Sequence, residues 1–205
     1  MEIGSIVTVS WWAILPLVVV GSLLHFAYDW SRHHRAVAVF AAVNESYWEH
    51  VKIAAWPSIA LYAALFALGG YRHAAFVPAA AVALYSIPVS MVGMVFLYKA
   101  LAGRNVLWLD IALFAAAIAL AQANFVLVLT HLRPDTAMVV IAACYLVGIL
   151  VAYTRFTLRP PREPDLFVDP LTHRYGLAAH PDGPGSPGGA DGAGDGPVAV
   201  TPPSR

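Results

Sequence analysis

Residues 111–130 read IALFAAAIALAQANFVLVLT, a run without a formal charge. As a helix such a run rises about 30 Å, the thickness of the hydrocarbon core of a bilayer. Four other stretches have the same character: 3–28, 53–70, 74–98 and 136–154. The first carries no formal charge apart from one on His25. Trp11, Trp12, Tyr28, Trp30, Tyr71, Tyr98 and Trp108 fall at the ends of these runs, where amphipathic rings prefer the headgroup region. The expected fold is therefore all-α, a polytopic membrane bundle of five transmembrane helices.

Composition agrees with a lipid environment. Hydrophobic residues make up 60% of the chain and charged residues only 12%, where soluble domains carry about 25%. Orientation follows from Lys and Arg near the span ends, since basic loops stay cytoplasmic. With the N-terminus outside and the C-terminus inside, Arg32, Arg35, Lys52, Lys99, Arg104, Arg155, Arg159 and Arg162 lie inside, and only Arg72 and Arg133 outside. Met1–Ser10 holds no Lys or Arg, so the first run reads as a retained signal anchor in the cell (inner) membrane. The lipid bilayer and a membrane protein are the expected partners, and nucleic acid is not.

The chain divides into three parts. Residues 1–157 form the bundle. Residues 158–177 are rich in Pro and charge but keep Leu166, Phe167, Leu171 and Tyr175, so this cytoplasmic segment can lie against the bundle. Residues 178–205 are dominated by Gly, Pro, Ala and Asp, a composition that cannot offset its ordering entropy and predicts a disordered tail. The single Cys144 excludes a disulfide framework or a CxxC metal site.

Chemistry concentrates at the junction of the first two spans. The chain reads His25-Phe-Ala-Tyr-Asp29-Trp-Ser31, then Asn44-Glu45-Ser46-Tyr47-Trp48-Glu49-His50-Val51-Lys52. Four-residue spacing puts His25 and Asp29 on one helix face, and likewise Glu45 and Glu49, with Ser46 and His50 on the adjoining face. Asp110 begins the fourth span on the same side.

Three readings follow. His25, Asp29, Glu49 and His50 form a ligand set for a divalent metal such as zinc. Glu45, Ser46 and His50 suit acid–base catalysis, a carboxyl of raised pKa serving as acid and His50 as base. The structural reading takes Ser46-Tyr-Trp-Glu49 as a capping box, Asn44 as a helix start and Lys52 as the ion-pair partner of Glu49 or Glu45.

Weaker signals accompany this one. Asp110, Ala117, Asn124 and His131 recur every seven residues and predict a polar, small-residue stripe buried in the bundle, as close helix packing in lipid requires. Gln122 should face elsewhere and bond a neighbour. Arg32-His33-His34-Arg35 reads as a basic anchor at anionic headgroups rather than a metal site. Residues 36–43 are apolar but too short to span, which fits an interfacial or re-entrant piece. Pro57 and Pro88 should kink their helices.

The His-Phe-x-Tyr-Asp-Trp-Ser stretch paired with Asn-Glu-Ser-x-Trp-Glu-His-x-Lys resembles an uncharacterised bacterial family of small multi-span membrane proteins. The later stretch Pro160-Pro161, Leu166-Phe167-Val-Asp169-Pro170-Leu-Thr172-His-Arg-Tyr175-Gly176 is similar to that family's post-helix segment. The resemblance covers roughly residues 10 to 177 and implies architecture, not an activity. A fainter likeness is to membrane hydrolases of the alkaline ceramidase type, which use Ser, Asp and several His around an intramembrane zinc; Ser46, Asp29, His25 and His50 match loosely. The late His-x-x-x-His helix of those enzymes has no counterpart here, His131 being expected at the opposite face. The functional expectations are thus a cytoplasmic-side polar or metal site of unassigned role, a metal-dependent or acid–base hydrolase acting on a lipid, or a small transporter or accessory subunit.

Overall fold

The computed structural model describes residues 1–103, 106–162 and 165–180, and over these the chain is helical, with one isolated antiparallel bridge from Val168 to Tyr175. Arg104, counted above among the inward charges, and residues 181–205 of the expected tail lie outside the described residues. The helices are α1 (Ile3–Trp12), α2 (Ile14–Trp30), the single-turn α3 (Arg35–Ala38), α4 (Tyr47–Ala67), α5 (Phe76–Ala102), α6 (Leu107–His131) and α7 (Thr136–Leu158). Helices α4 to α7 are each long and apolar enough to cross a membrane, and α1 with α2 supplies a fifth span if the bent pair crosses as one.

That bend is 49° at Ala13. Pro16 accounts for it: a proline has no amide to donate, and its ring excludes a helical carbonyl four residues back, the position of Trp12. Pro57 and Pro88, where kinks were expected, lie inside helices that stay continuous.

Helix α5 lies along α6 and α7, α2 packs on α4 and α6, and α1 on α6. Small residues bring the axes together, Ala79 and Ala83 of α5 and Ala117 and Ala121 of α6 being fully buried. Phe125 fills the centre, stacked on Tyr62 at 4.5 Å and edge-on to Phe76 at 5.3 Å. Gly21 lets α2 approach closely: a Cβ there would lie 2.7 Å from the Phe114 ring and 2.9 Å from the Ile53 carbonyl. The opposite surfaces expose Trp12, Leu15, Val89, Leu127 and Val147, an apolar exterior suited to lipid.

The seven-residue stripe on α6 is not its packed face. Ala117 is buried, but Asp110 and Asn124 are half-buried and His131 is exposed. Seven residues fall short of two turns, so the stripe drifts by about 20° per repeat and leaves the core. The face that does pack is Ala117, Ile118, Ala121, Gln122, Phe125 and Leu129, spaced three and four apart. Gln122 therefore points inward.

Residues 36–43 tuck into the bundle, with Ala38, Ala41, Ala42 and Val43 buried. Their backbone is satisfied by protein rather than water: the Ala42 amide donates to the Leu24 carbonyl at 3.2 Å, and the Trp56 indole N–H to the Val39 carbonyl at 2.8 Å. Beyond α7, Phe167 packs on Trp48 at 5.1 Å and on Phe156 at 5.4 Å, laying residues 165–180 over the start of α4. This ordered stretch passes the composition break at Ala178, since Gly176–Ala179 forms a 3-10 turn and His180 is buried.

One buried ion pair ties these parts. Lys52 is fully buried, and its ammonium meets Glu49 at 2.6 Å, the Ala38 carbonyl at 2.7 Å and the Thr157 hydroxyl at 3.1 Å. Replacing Lys52 with alanine leaves Glu49 charged and unpaired and should cost about 3–5 kcal/mol in thermal or denaturant unfolding in detergent. The double variant Glu49→Leu with Lys52→Met should recover much of that loss; if it is no more stable than Lys52→Ala alone, the pair is not what holds these segments.

Candidate functional site

The site grows from the way α4 begins. Asn44 accepts the Ser46 amide on its side-chain oxygen at 2.9 Å and donates its side-chain amide to the Gly176 carbonyl at 3.0 Å. Asp169, itself buried, accepts the Glu45 amide at 3.0 Å on one oxygen and the Leu171 and Thr172 amides on the other. Ser46 stands at the N-cap in extended conformation, but its hydroxyl makes no cap bond. The expected capping box is thus not formed. Glu49 reaches back past the N-cap to the Val43 amide at 3.0 Å, with the same oxygen that meets Lys52.

Glu49 thus faces Lys52 and Val43, and the carboxylate beside the imidazoles is that of Glu45. The Glu45 carboxylate lies between two imidazoles, one oxygen 3.5 Å from His25 Nε2 and the other 3.6 Å from His50 Nε2. The rings of His25 and His50 are 5.3 Å apart, edge to face. One ligand atom from each of these three residues falls within 4.8 Å of the others, so the group can hold a metal ion. His50 Nδ1 lies 2.9 Å from the Ser46 carbonyl. A carbonyl can only accept, so Nδ1 carries a proton, and in the neutral ring Nε2 presents its lone pair to the site. Ser46 thus acts on the site through its backbone.

Electrostatics keeps Glu45 ionised. Contact with the His25 ring holds its carboxyl below the ordinary carboxylate range, the charges on His25 and His50 add to this, and partial burial opposes it. The raised carboxyl pKa expected of an acid catalyst is therefore not found at Glu45.

Two clefts open beside this group. One, of about 390 Å³, is lined by Phe26, Ile53, Leu107, Ile111 and Phe114 next to His25, Glu45 and His50. The other, of about 280 Å³, runs past Met91, Val95 and Lys99. Asp110 borders both and accepts a hydrogen bond from the Tyr98 hydroxyl, while Lys99 bonds the Tyr47 hydroxyl. Asn124 belongs to neither cleft lining.

Asp29 does not join His25. It turns to His33 and His180, whose Nε2 atoms lie 3.4 and 2.7 Å from the same carboxylate oxygen. Sequence reasoning passed over His33 as part of a basic anchor and had no signal for His180, which sits in the stretch read as tail. Asp169 was visible only as part of the post-helix motif.

A family model described as a family of unknown function, DUF6512, matches residues 1–177. No curated protein and no solved structure matches the chain.

The lowered pKa of Glu45 sets a pH dependence. A carboxyl depressed on folding stabilises the native state fully above its ordinary value of 4.5, and that contribution is lost as pH falls through the depressed value. The stability difference between wild type and Glu45→Gln should therefore shrink as pH falls below about 4.5. Parallel acid-unfolding curves for the two proteins would show that the imidazoles do not hold this charge.

Proposed function

We propose, from the premise that the chain belongs to this family of unknown function, that it is a multi-pass membrane protein binding a divalent transition-metal ion such as zinc between His25, Glu45 and His50. Spacing carries the reading. Around a tetrahedral ion with bonds of about 2.0–2.1 Å, neighbouring ligand atoms lie about 3.3–3.4 Å apart. The separations of 3.5 and 3.6 Å, each to a different oxygen of Glu45, come near that edge, and they exceed the ≈ 2.7–2.9 Å of a charge-assisted hydrogen bond. A good ion pair would have closed further.

Two imidazoles and one carboxylate are the set that leaves a fourth position for water at a catalytic zinc. The Ser46 carbonyl on His50 Nδ1 supplies the outer bond that orients such a ligand. A metal there would bring the pKa of bound water to about 7 and polarise a carbonyl oxygen. The apolar wall of Phe26, Ile111 and Phe114 beside the group suits an acyl chain. The reaction class proposed is hydrolysis of an ester or amide in a lipid-like substrate, for which an ion held by His25, Glu45 and His50 would supply an activated water. The inward bias of Lys and Arg supports a cytoplasmic-side site in the inner membrane.

Two measurements test this reading. Detergent-purified protein stripped with chelator and titrated with Zn²⁺ should bind an ion whose affinity falls more than about tenfold in His50→Ala and in Glu45→Gln; unchanged affinity in both would overturn the site. A reporter fused after Tyr175 should be cytoplasmic and one placed before Met1 external. Both ends on one side would instead make α1 and α2 a re-entrant pair.

A further inference from the structure

The Asp29 group shows features that an ion pair alone does not require. Helix α2 ends with the Arg32 amide donating to the Asp29 carbonyl at 2.9 Å and the His33 amide to the Tyr28 carbonyl at 3.1 Å. This is the double closure of a Schellman turn, whose left-handed position is usually glycine. Here arginine occupies it, with φ +55°, and His33 follows at φ +61°. Such a conformation is disfavoured for both residues unless their surroundings hold it. The result of this turn is that the His33 ring folds back over Asp29, 4.4 Å from the ring of His180. Tyr28 backs both imidazoles, at 5.2 and 5.1 Å.

We infer that Asp29, His33 and His180 form a second divalent transition-metal site, a clasp that fastens the segment after α7 to the end of α2. The three offer one oxygen and two nitrogens within 4.8 Å of one another. The Asp29–His33 separation of 3.4 Å already equals a tetrahedral ligand edge, and the 2.7 Å to His180 needs to open by only about 0.6 Å. Imidazole with carboxylate selects a borderline ion of the zinc, cobalt or nickel kind over calcium or magnesium. Asp29 is exposed, so an ion can enter from water. On binding, the ion takes the place of the proton on His180 Nε2, the ring keeps one proton on Nδ1 and any second proton goes to solvent, and three metal–ligand bonds replace the hydrogen bond between His180 and Asp29.

The clasp would act on the first site through the chain between them. His180 ends the segment whose Asp169 holds the Glu45 amide, and Glu45, Asp169, Asp29 and His180 border one cavity of about 360 Å³. An ion at Asp29 would therefore secure the loop that presents Glu45, without being a ligand of the first site.

Metal stoichiometry tests this independently of the first site. Full-length protein in detergent, stripped and then equilibrated with Zn²⁺, should hold two ions per chain by elemental analysis. The double variant His33→Ala/His180→Ala should hold one, and so should His25→Ala/His50→Ala. Two ions remaining in the His33/His180 variant would overturn the clasp; two remaining in the His25/His50 variant would overturn the first site instead. A wild type holding one ion is assigned by whichever variant loses it, and the other site falls; a wild type holding none overturns both. Asp29→Asn keeps an acceptor for His180 but removes the anionic ligand. It should elute as wild type on size exclusion and bind the clasp ion more than about tenfold more weakly; unchanged affinity would speak against a ligand role for Asp29.

Discussion

The Glu49–Lys52 pair is the constraint on which the rest depends. Each charge loses several kcal/mol of hydration on entering the interior, and attraction repays this only if the remaining donors and acceptors are met. Lys52 meets the condition: three donors find three acceptors, from Glu49, Ala38 and Thr157. Those acceptors come from three parts of the chain, so a single ammonium fixes the loop after α2, the first turn of α4 and the last turn of α7 relative to one another. Glu49 extends the link to the Val43 amide. With Glu49 so engaged, Glu45 is the carboxylate at the start of α4 left to face His25 and His50.

That facing arrangement sits where a membrane protein can keep charges at low cost. Glu45 precedes α4 and Asp110 lies in the first turn of α6, where the partial positive charge of a helix start favours a carboxylate. His25 lies in the last two turns of α2, whose end favours a cation. Charged groups at span ends are reached by water and headgroups, whereas at mid-bilayer they would need far stronger compensation. The same placement serves capping and ligation equally well. Glu45 stands 3.5 and 3.6 Å from the two imidazoles, whereas Glu49 closes on Lys52 at 2.6 Å.

Spans were legible because hydrophobic length is a property of contiguous residues, and four or five such runs cannot be hidden. The bend at Pro16 was harder to see, because the proline lies deep in a run that composition treats as uniform. The stripe on α6 misled for a geometric reason: a period of seven looks helical over two turns and departs from the packed face over six. Within the site, the partnership of Glu49 with Lys52 and the tucked loop of residues 36–43 could be anticipated from spacing and length. The bonds from Asn44 to Gly176 and from Glu45 to Asp169 could not, since they join residues more than a hundred positions apart.

The division of Asp29 from His25 shows where spacing stops being informative. Asp29 stands four residues after His25 and four before His33, so a helical rule supports either partner equally. Which one it takes depends on what happens beyond the helix. A chain continuing helically through Ser31 would carry His33 up the same face at a rise of about 6 Å per four residues, leaving Asp29 between two equivalent neighbours. The left-handed turn at Arg32 and His33 breaks that equivalence by folding His33 back, and His180 meets Asp29 from the segment after α7. His25, released from Asp29, is then available to Glu45. Two separate three-residue groups, His25 with Glu45 and His50 and Asp29 with His33 and His180, thus accompany a two-residue turn whose left-handed conformation is uncommon for either residue.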